Sequence, residues 1–132
     1  MKRGVNVSDF NATVSGTVVT DVTSRTTSTG QLVASFRMAV NPRRFDRATN
    51  AWVDQESSYF QVSCWRQTAE NVAISVTKGD PIVVTGKVRV RQWEDAGKSG
   101  TSVELEAMAI GHDLARGSAT FTRNRRAAEM AA

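Results

Sequence analysis

Basic and aromatic side chains come together three times in this 132-residue chain, and that recurrence is its clearest chemical signal. Arg43, Arg44 and Arg47 flank Phe45 in a polar stretch that also holds Trp52. Tyr59 and Trp65 fall in SSYFQVSCWR, and Lys87, Arg89 and Arg91 alternate with valines before Trp93. Cations neutralise backbone phosphates, while flat side chains offer faces on which any base can stack. A groove for a single nucleic-acid strand needs both. Plainer readings compete at each position. Trp65 can be core, Phe45 and Trp52 can steady their own loop (the favoured reading for Trp52), and the Lys87–Arg91 row can be a solvated face. The coincidence of cations and aromatics, with the acids Glu104 and Glu106 kept to another strand, favours the nucleic-acid reading.

Catalytic patterns are weak by comparison. His112 is the only histidine and has Asp113 beside it, but neighbours on an extended chain point to opposite sides and make a poor orienting pair. No Gly-x-Ser-x-Gly, phosphate-binding loop or metal-ligand spacing occurs, so the expectation is a protein without catalysis, metal or cofactor. A single cysteine, Cys64, excludes an intramolecular disulfide and reads as a small buried hydrophobe in a reducing compartment. No apolar run reaches the length of a membrane span and no signal-peptide core is present, which points to the cytoplasm. The chain carries +4, of which Arg116, Arg123, Arg125 and Arg126 against Glu129 give +3 to the last segment.

The elements that must position these residues follow from periodicity. Residues 10–22 are rich in Val and Thr and read as a strand, with Gly16 marking a bulge or bend of the kind barrel closure needs. A turn cluster at 26–31 precedes a period-two strand, 32–40, whose polar face carries Arg37. Residues 41–56 form a long polar loop or extended hairpin. Strand character returns at 57–66, with Tyr59, Gln61, Ser63 and Trp65 on one face. Ala69, Val72, Ala73 and Val76 then follow helical spacing, with Thr68 as N-cap, Glu70 in the first turn, Gly79 as terminator and Pro81 beyond it. A strand over 81–91 places Lys87, Arg89 and Arg91 in one row, a hairpin tip over 92–101 exposes Trp93, and a last strand spans 102–111. Five strands with one helix between the third and fourth is the order of a mainly β, OB-fold Greek-key barrel. The expected organisation is a lead-in (1–9), one barrel domain (10–114) and a flexible basic extension (115–132).

Several stretches carry a family resemblance. Trp65-Arg66-Gln67-Thr68-Ala69-Glu70-Asn71-Val72, Lys78-Gly79-Asp80-Pro81 and Val84 to Glu94 resemble the strand-to-helix junction, basic strand and aromatic hairpin of bacterial single-stranded-DNA-binding (SSB) proteins. Ala39 to Thr49 is similar to that family's arginine-rich loop, and Ile110 to Gly117 resembles the short second paralogue of actinomycetes. The likeness covers about residues 10–111. It implies a homotetramer of OB domains that binds and protects single-stranded DNA, with Tyr59, Trp65 and Trp93 at the base-stacking positions and Phe45 near a fourth. With Arg37, Arg43, Arg44, Arg47, Lys87, Arg89 and Arg91 these make up the expected DNA-binding set. Three features depart from the family pattern. Gly16-Thr17-Val18 and Asp21-Val22 replace its usual first-strand motifs, Tyr59 stands where Trp is common, and an acidic, Phe-ended tip is replaced by a basic, Ala-rich stretch. Partners that dock on such a tip are therefore not expected. Replication, repair and recombination would use the same surface, and an OB module for protein contact or RNA is the alternative.

Overall fold

β-branched residues pack well on a pleated surface, and the Val- and Thr-rich stretches of this chain form its strands. The computed structural model describes residues 3–40, 43–54 and 58–125, with side chains for 10–40, 45–53 and 58–125. Its elements are β1 (Arg3–Val18), β2 (Thr23–Thr26), β3 (Leu32–Val40), β4 (Arg43–Asp46), β5 (Ala51–Asp54), β6 (Ser58–Trp65), α1 (Arg66–Ser75), β7 (Pro81–Asp95) and β8 (Lys98–His112). The main sheet runs β1-β7-β8-β6-β3-β2, and β1 also pairs with β3, which closes five strands into a ring. β6 and β8 are parallel, while the other pairs are antiparallel. β2 lines the edge of β3, and β4 with β5 makes a separate ribbon. This is the expected five-stranded OB barrel with α1 between its third and fourth strands.

Alternation fills the ring. Phe36, Met38, Val62, Cys64, Ile82, Val84, Val88 and Leu105 are buried, and α1 adds Ala69 and Val72 to the same cluster. Cys64 sits among them as expected, its Sγ 3.6 Å from the Ala34 carbonyl, and burial pushes its pKa up to about 11.

Two glycines permit the curvature. At Gly16, β1 passes from β7 to β3 (Thr17 opposite Ala39), and an added Cβ would overlap the Ala39 carbonyl oxygen. The pairing with β7 runs through Gly16 without a register shift, so no bulge marks the position, and what requires glycine there is the close approach of β3. At Gly86 the β7–β8 register shifts, Met108 is left without a partner, and a Cβ would overlap the Glu106 carbonyl oxygen.

Several boundaries differ from expectation. Residues 3–9 continue β1 because β7 runs to Asp95 and offers them a partner, as in Arg3 opposite Glu94. The first strand stops at Val18, and Thr20 accepts the Arg37 N–H at 2.8 Å through Oγ1. Part of the expected turn region, Thr26, belongs to β2. α1 begins at Arg66 directly after Trp65, whose side chain makes no capping bond, and Arg66 takes φ 56° to turn strand into helix. Thr68 is thus inside the helix rather than its cap, and no acid lies in its first turn. The helix ends at Ser75 because Val76 turns back into the core, and Gly79 instead shapes the following loop, donating its N–H to the Val18 carbonyl at 2.8 Å. The hairpin tip is only Ala96-Gly97, not 92–101. Beyond Asp113 and Leu114, residues 115–125 hold no helix or strand, and Asn124 Oδ1 accepts a 2.9 Å bond from Asn71 Nδ2 on α1.

Adding one methyl at Gly86 forces the β7 and β8 backbones apart. The Gly86→Ala variant is expected to lose about 1–3 kcal/mol of stability, the usual cost of overpacking, as read by urea unfolding. Asp80 accepts the Thr77 N–H at 2.9 Å and lies 3.1 Å from His112 Nε2, so His112 pairs across the barrel end rather than with Asp113. The Thr77 N–H above all holds the Asp80 carboxyl below the ordinary aspartate value; burial opposes it, and His112 adds further lowering. Its contribution is therefore present above the ordinary range near about pH 3.9 and is lost as pH falls through the lowered folded-state value. Asp80→Asn should be less stable than wild type at neutral pH, with the gap in urea midpoint closing in acid. A gap that persists in acid would assign the loss to packing.

Candidate nucleic-acid interface

Because side chains alternate along a strand, the residues that leave the core gather on one outer face. β7 supplies Lys87, Arg89, Arg91 and Trp93, while β6 supplies Tyr59, Gln61, Ser63 and Trp65 and β3 supplies Arg37. Register aligns them in rows. Arg37 lies opposite Gln61, Gln61 opposite Glu104, and Glu104 opposite Arg89. One step along, Ser35, Ser63, Glu106 and Lys87 line up in the same way.

The aromatics of this face have distinct settings. Tyr59 is 48% exposed, and the Arg37 guanidinium lies over its ring at 4.9 Å, a cation–π contact that steadies both. Trp65, at the other end of β6, is 38% exposed and is not core. It lines a shallow depression with Ser63, Arg89, Glu104, Leu105 and Glu106. Trp93 is not at a hairpin tip. It stands within β7 opposite Gly4 and Gly100, half-buried, with its indole laid on Gly100 so closely that a Cβ there would come 2.5 Å from Cζ2. Glycine neighbours on both flanking strands give a wide ring room to lie against the sheet.

The remaining candidates lie on the β4–β5 ribbon. Phe45 faces Trp52 edge-on at 5.5 Å with planes 75° apart, the local cluster favoured for Trp52. Both rings stay exposed, at 42% and 60%, and Arg47 is exposed in the turn between the strands. Asp46 steadies that turn by accepting the Ala48 N–H at 2.9 Å. The Arg43 and Arg44 backbones belong to β4, but their side chains lie outside the described residues.

The acids are not kept away from the cations. Arg89 Nη2 lies 3.2 Å from Glu106 Oε2, and Arg91 Nε lies 3.6 Å from Glu104 Oε2. These pairs run diagonally, because register sets Glu104 opposite Arg89 and Glu106 opposite Lys87. The alternation of Ser102, Glu104 and Glu106 was visible in the sequence. What was missing was the two-residue turn at Ala96-Gly97, which brings that alternation onto the face of the arginines. Among the described residues, no group of three or more His, Cys, Asp or Glu is placed to hold a metal ion.

Comparisons with known proteins agree over most of the chain. The family model described as the single-strand binding protein family matches residues 9–113. A single-stranded DNA-binding protein of Corynebacterium glutamicum is 41% identical over 121 residues, covering 91% of this chain and 54% of that protein. This chain therefore spans about half of that relative's length. Single-stranded DNA-binding protein 1 of Streptomyces coelicolor is 45% identical over 111 residues, which cover 84% of this chain and 70% of that protein. The crystal structure of a small single-stranded DNA-binding protein from Streptomyces coelicolor is similar at TM-score 0.74 and 40% identity, covering 83% of this chain and 98% of that one. The second single-stranded DNA-binding protein (SSBb) of Mycobacterium smegmatis gives 0.63 and 30%, with 87% and 99% covered.

The setting of Trp93 makes it the sharpest test of stacking on this face. Trp93→Ala is expected to weaken oligo-dT binding by about 1–3 kcal/mol, the range for losing one aromatic platform, with little change in melting temperature. Wild-type affinity in that variant at moderate salt would remove Trp93 from the interface.

Proposed function

The chain belongs to the single-strand binding protein family, and from that premise we propose how it binds single-stranded DNA. Bases stack on Tyr59, Trp65 and Trp93, while Arg37, Lys87, Arg89 and Arg91 follow the phosphates. The ribbon bearing Arg43, Arg44, Phe45 and Arg47 adds a second point of contact. The observation that carries this reading is the gathering of Arg37, Tyr59, Trp65, Arg89 and Trp93 on a single barrel face, with Arg37 stacked on Tyr59. Stacking needs no hydrogen-bond code, so binding tolerates any sequence and serves to cover and protect the strand. The interaction is non-covalent and asks for no catalytic group.

One OB face holds only a short stretch of strand, about 4–16 nucleotides in this fold class. Assembly into a homotetramer, which this reading includes, would offer several such faces to one wrapped strand. No helix among the described residues is long and apolar enough to cross a membrane. Cytoplasmic, nucleoid-associated work is the setting that suits a protein of this chemistry. Residues 116–125 contribute Arg116, Arg123 and Arg125 and no acid, so this segment is not an acidic docking site for replication and repair partners.

Titration of the intrinsic tryptophan fluorescence with oligo-dT, oligo-rU and duplex DNA at two salt concentrations tests the reading. Strong quenching by oligo-dT, weakened by salt, and little response to duplex is the expected result. Equal response to duplex would sink the stacking mechanism, and a preference for oligo-rU would move the function to RNA.

A further inference from the structure

A face built for a polyanion has two carboxylates at its centre. Glu104 and Glu106 point outward from β8 between the stacking strand β6 and the cationic strand β7. They engage two of the three cations in the β7 row, at 3.6 Å for Arg91 and 3.2 Å for Arg89. Glu104 and Glu106 together with Lys87, Arg89 and Arg91 leave that part of the face with a net charge of only +1.

We propose that Glu104 and Glu106 are built-in competitors of the DNA phosphate, so that single-stranded DNA is bound by exchange of ion pairs rather than by capture on free cations. The proposal rests on the single-stranded-DNA reading of this face. Carboxylate and phosphate oxygens accept the same guanidinium donors, so one can replace the other without moving the arginine. The pairs are partly open to solvent, with side-chain exposures of 34% and 45% for Arg89 and Glu106 and of 37% and 43% for Arg91 and Glu104. A phosphate can therefore reach them, and pairs of this kind are weak enough to break. The inner edge of each guanidinium is fixed differently. Nε of Arg89 is enclosed by protein and makes no hydrogen bond, so packing, not Glu106 alone, holds that side chain against the sheet, whereas in Arg91 the enclosed Nε is itself the atom that faces Glu104 at 3.6 Å. Arg89 also lines the depression beside Trp65. Loss of the glutamate leaves it aimed where a backbone phosphate must lie when a base stacks on that indole.

Exchange has a signature that simple neutralisation lacks. A glutamate released from its arginine becomes a free anion beside the DNA and takes up a cation from solution. That uptake offsets part of the counter-ion release that drives binding, and it flattens the dependence of affinity on salt. Removing the two charges should therefore tighten binding and steepen that dependence together.

The test is the Glu104→Gln/Glu106→Gln double variant of the full chain, titrated with oligo-dT at several salt concentrations by tryptophan fluorescence. Glutamine keeps the shape and an acceptor oxygen but not the charge. Binding about three- to thirtyfold tighter than wild type is expected at moderate salt, with a steeper log–log salt slope. Glu70→Gln, which removes one charge from the exposed side of α1, should stay within roughly twofold of wild type and controls for net charge. Unchanged or weaker binding in the double variant, at an unchanged melting temperature, would overturn the proposal and make the glutamates supports for the arginines. Should the double variant melt early, Glu106→Gln alone, at the shorter pair, is held to the same criteria. Failure of the wild type to respond to oligo-dT would instead overturn the reading beneath the proposal, and the proposal with it.

Discussion

Closing five strands into a ring brings backbones nearer to one another than a side chain allows, and the rest of this protein depends on that approach. At Gly16 and Gly86 the space for a Cβ is already taken by carbonyl oxygens of Ala39 and Glu106. The first lets β1 join β3 and seal the ring, and the second sits where the β7–β8 register shifts past Met108. With the ring closed, α1 packs Ala69 and Val72 into the core, and the alternation of every strand has one inside and one outside. The basic row of β7 and the exposed aromatics of β6 are the outside of that division.

Once the sheet is curved, electrostatics on its surface are decided by register rather than by composition. A total of +4 says little about where a phosphate would sit, because the cations of β7 meet acids from β8. Arg37 is engaged in another way, lying over Tyr59. The face thus presents arginines held in known positions by a carboxylate or a ring, which reduces the side-chain freedom that must be lost when a ligand binds.

Much of this was legible in the sequence, for reasons specific to each residue. Val88 and Val90 alternating with Lys87, Arg89 and Arg91 fixed which side of β7 is basic, since period two leaves no other choice. Gly16 inside a Val- and Thr-rich strand pointed to a special backbone position, and it is where β1 comes too close to β3 for a side chain. Register was not legible. It turns on Ala96-Gly97, which lacks the Asn-Gly signature of a two-residue hairpin, so the tip reads too wide, Trp93 is placed in the open and Glu104 and Glu106 fall out of the site. The helix start was hidden as well. Trp65 has no capping oxygen, and Arg66 adopts a left-handed backbone that residue preferences assign to glycine. Tertiary packing, which needs α1 to follow β6 without a linker, overrides both preferences.

Cys64 stands next to Trp65 in the chain but faces the opposite way, into the core, and its raised pKa of about 11 has a kinetic meaning. At neutral pH only about one thiol in ten thousand would be ionised, and the sulfur is shielded by the packed sheet. Oxidants and alkylating reagents therefore react only when the β3–β6 ladder separates. The rate at which this single thiol is consumed is a clock for the opening of the barrel at that ladder. The core thiol would thus resist covalent injury for as long as the sheet around it stays closed.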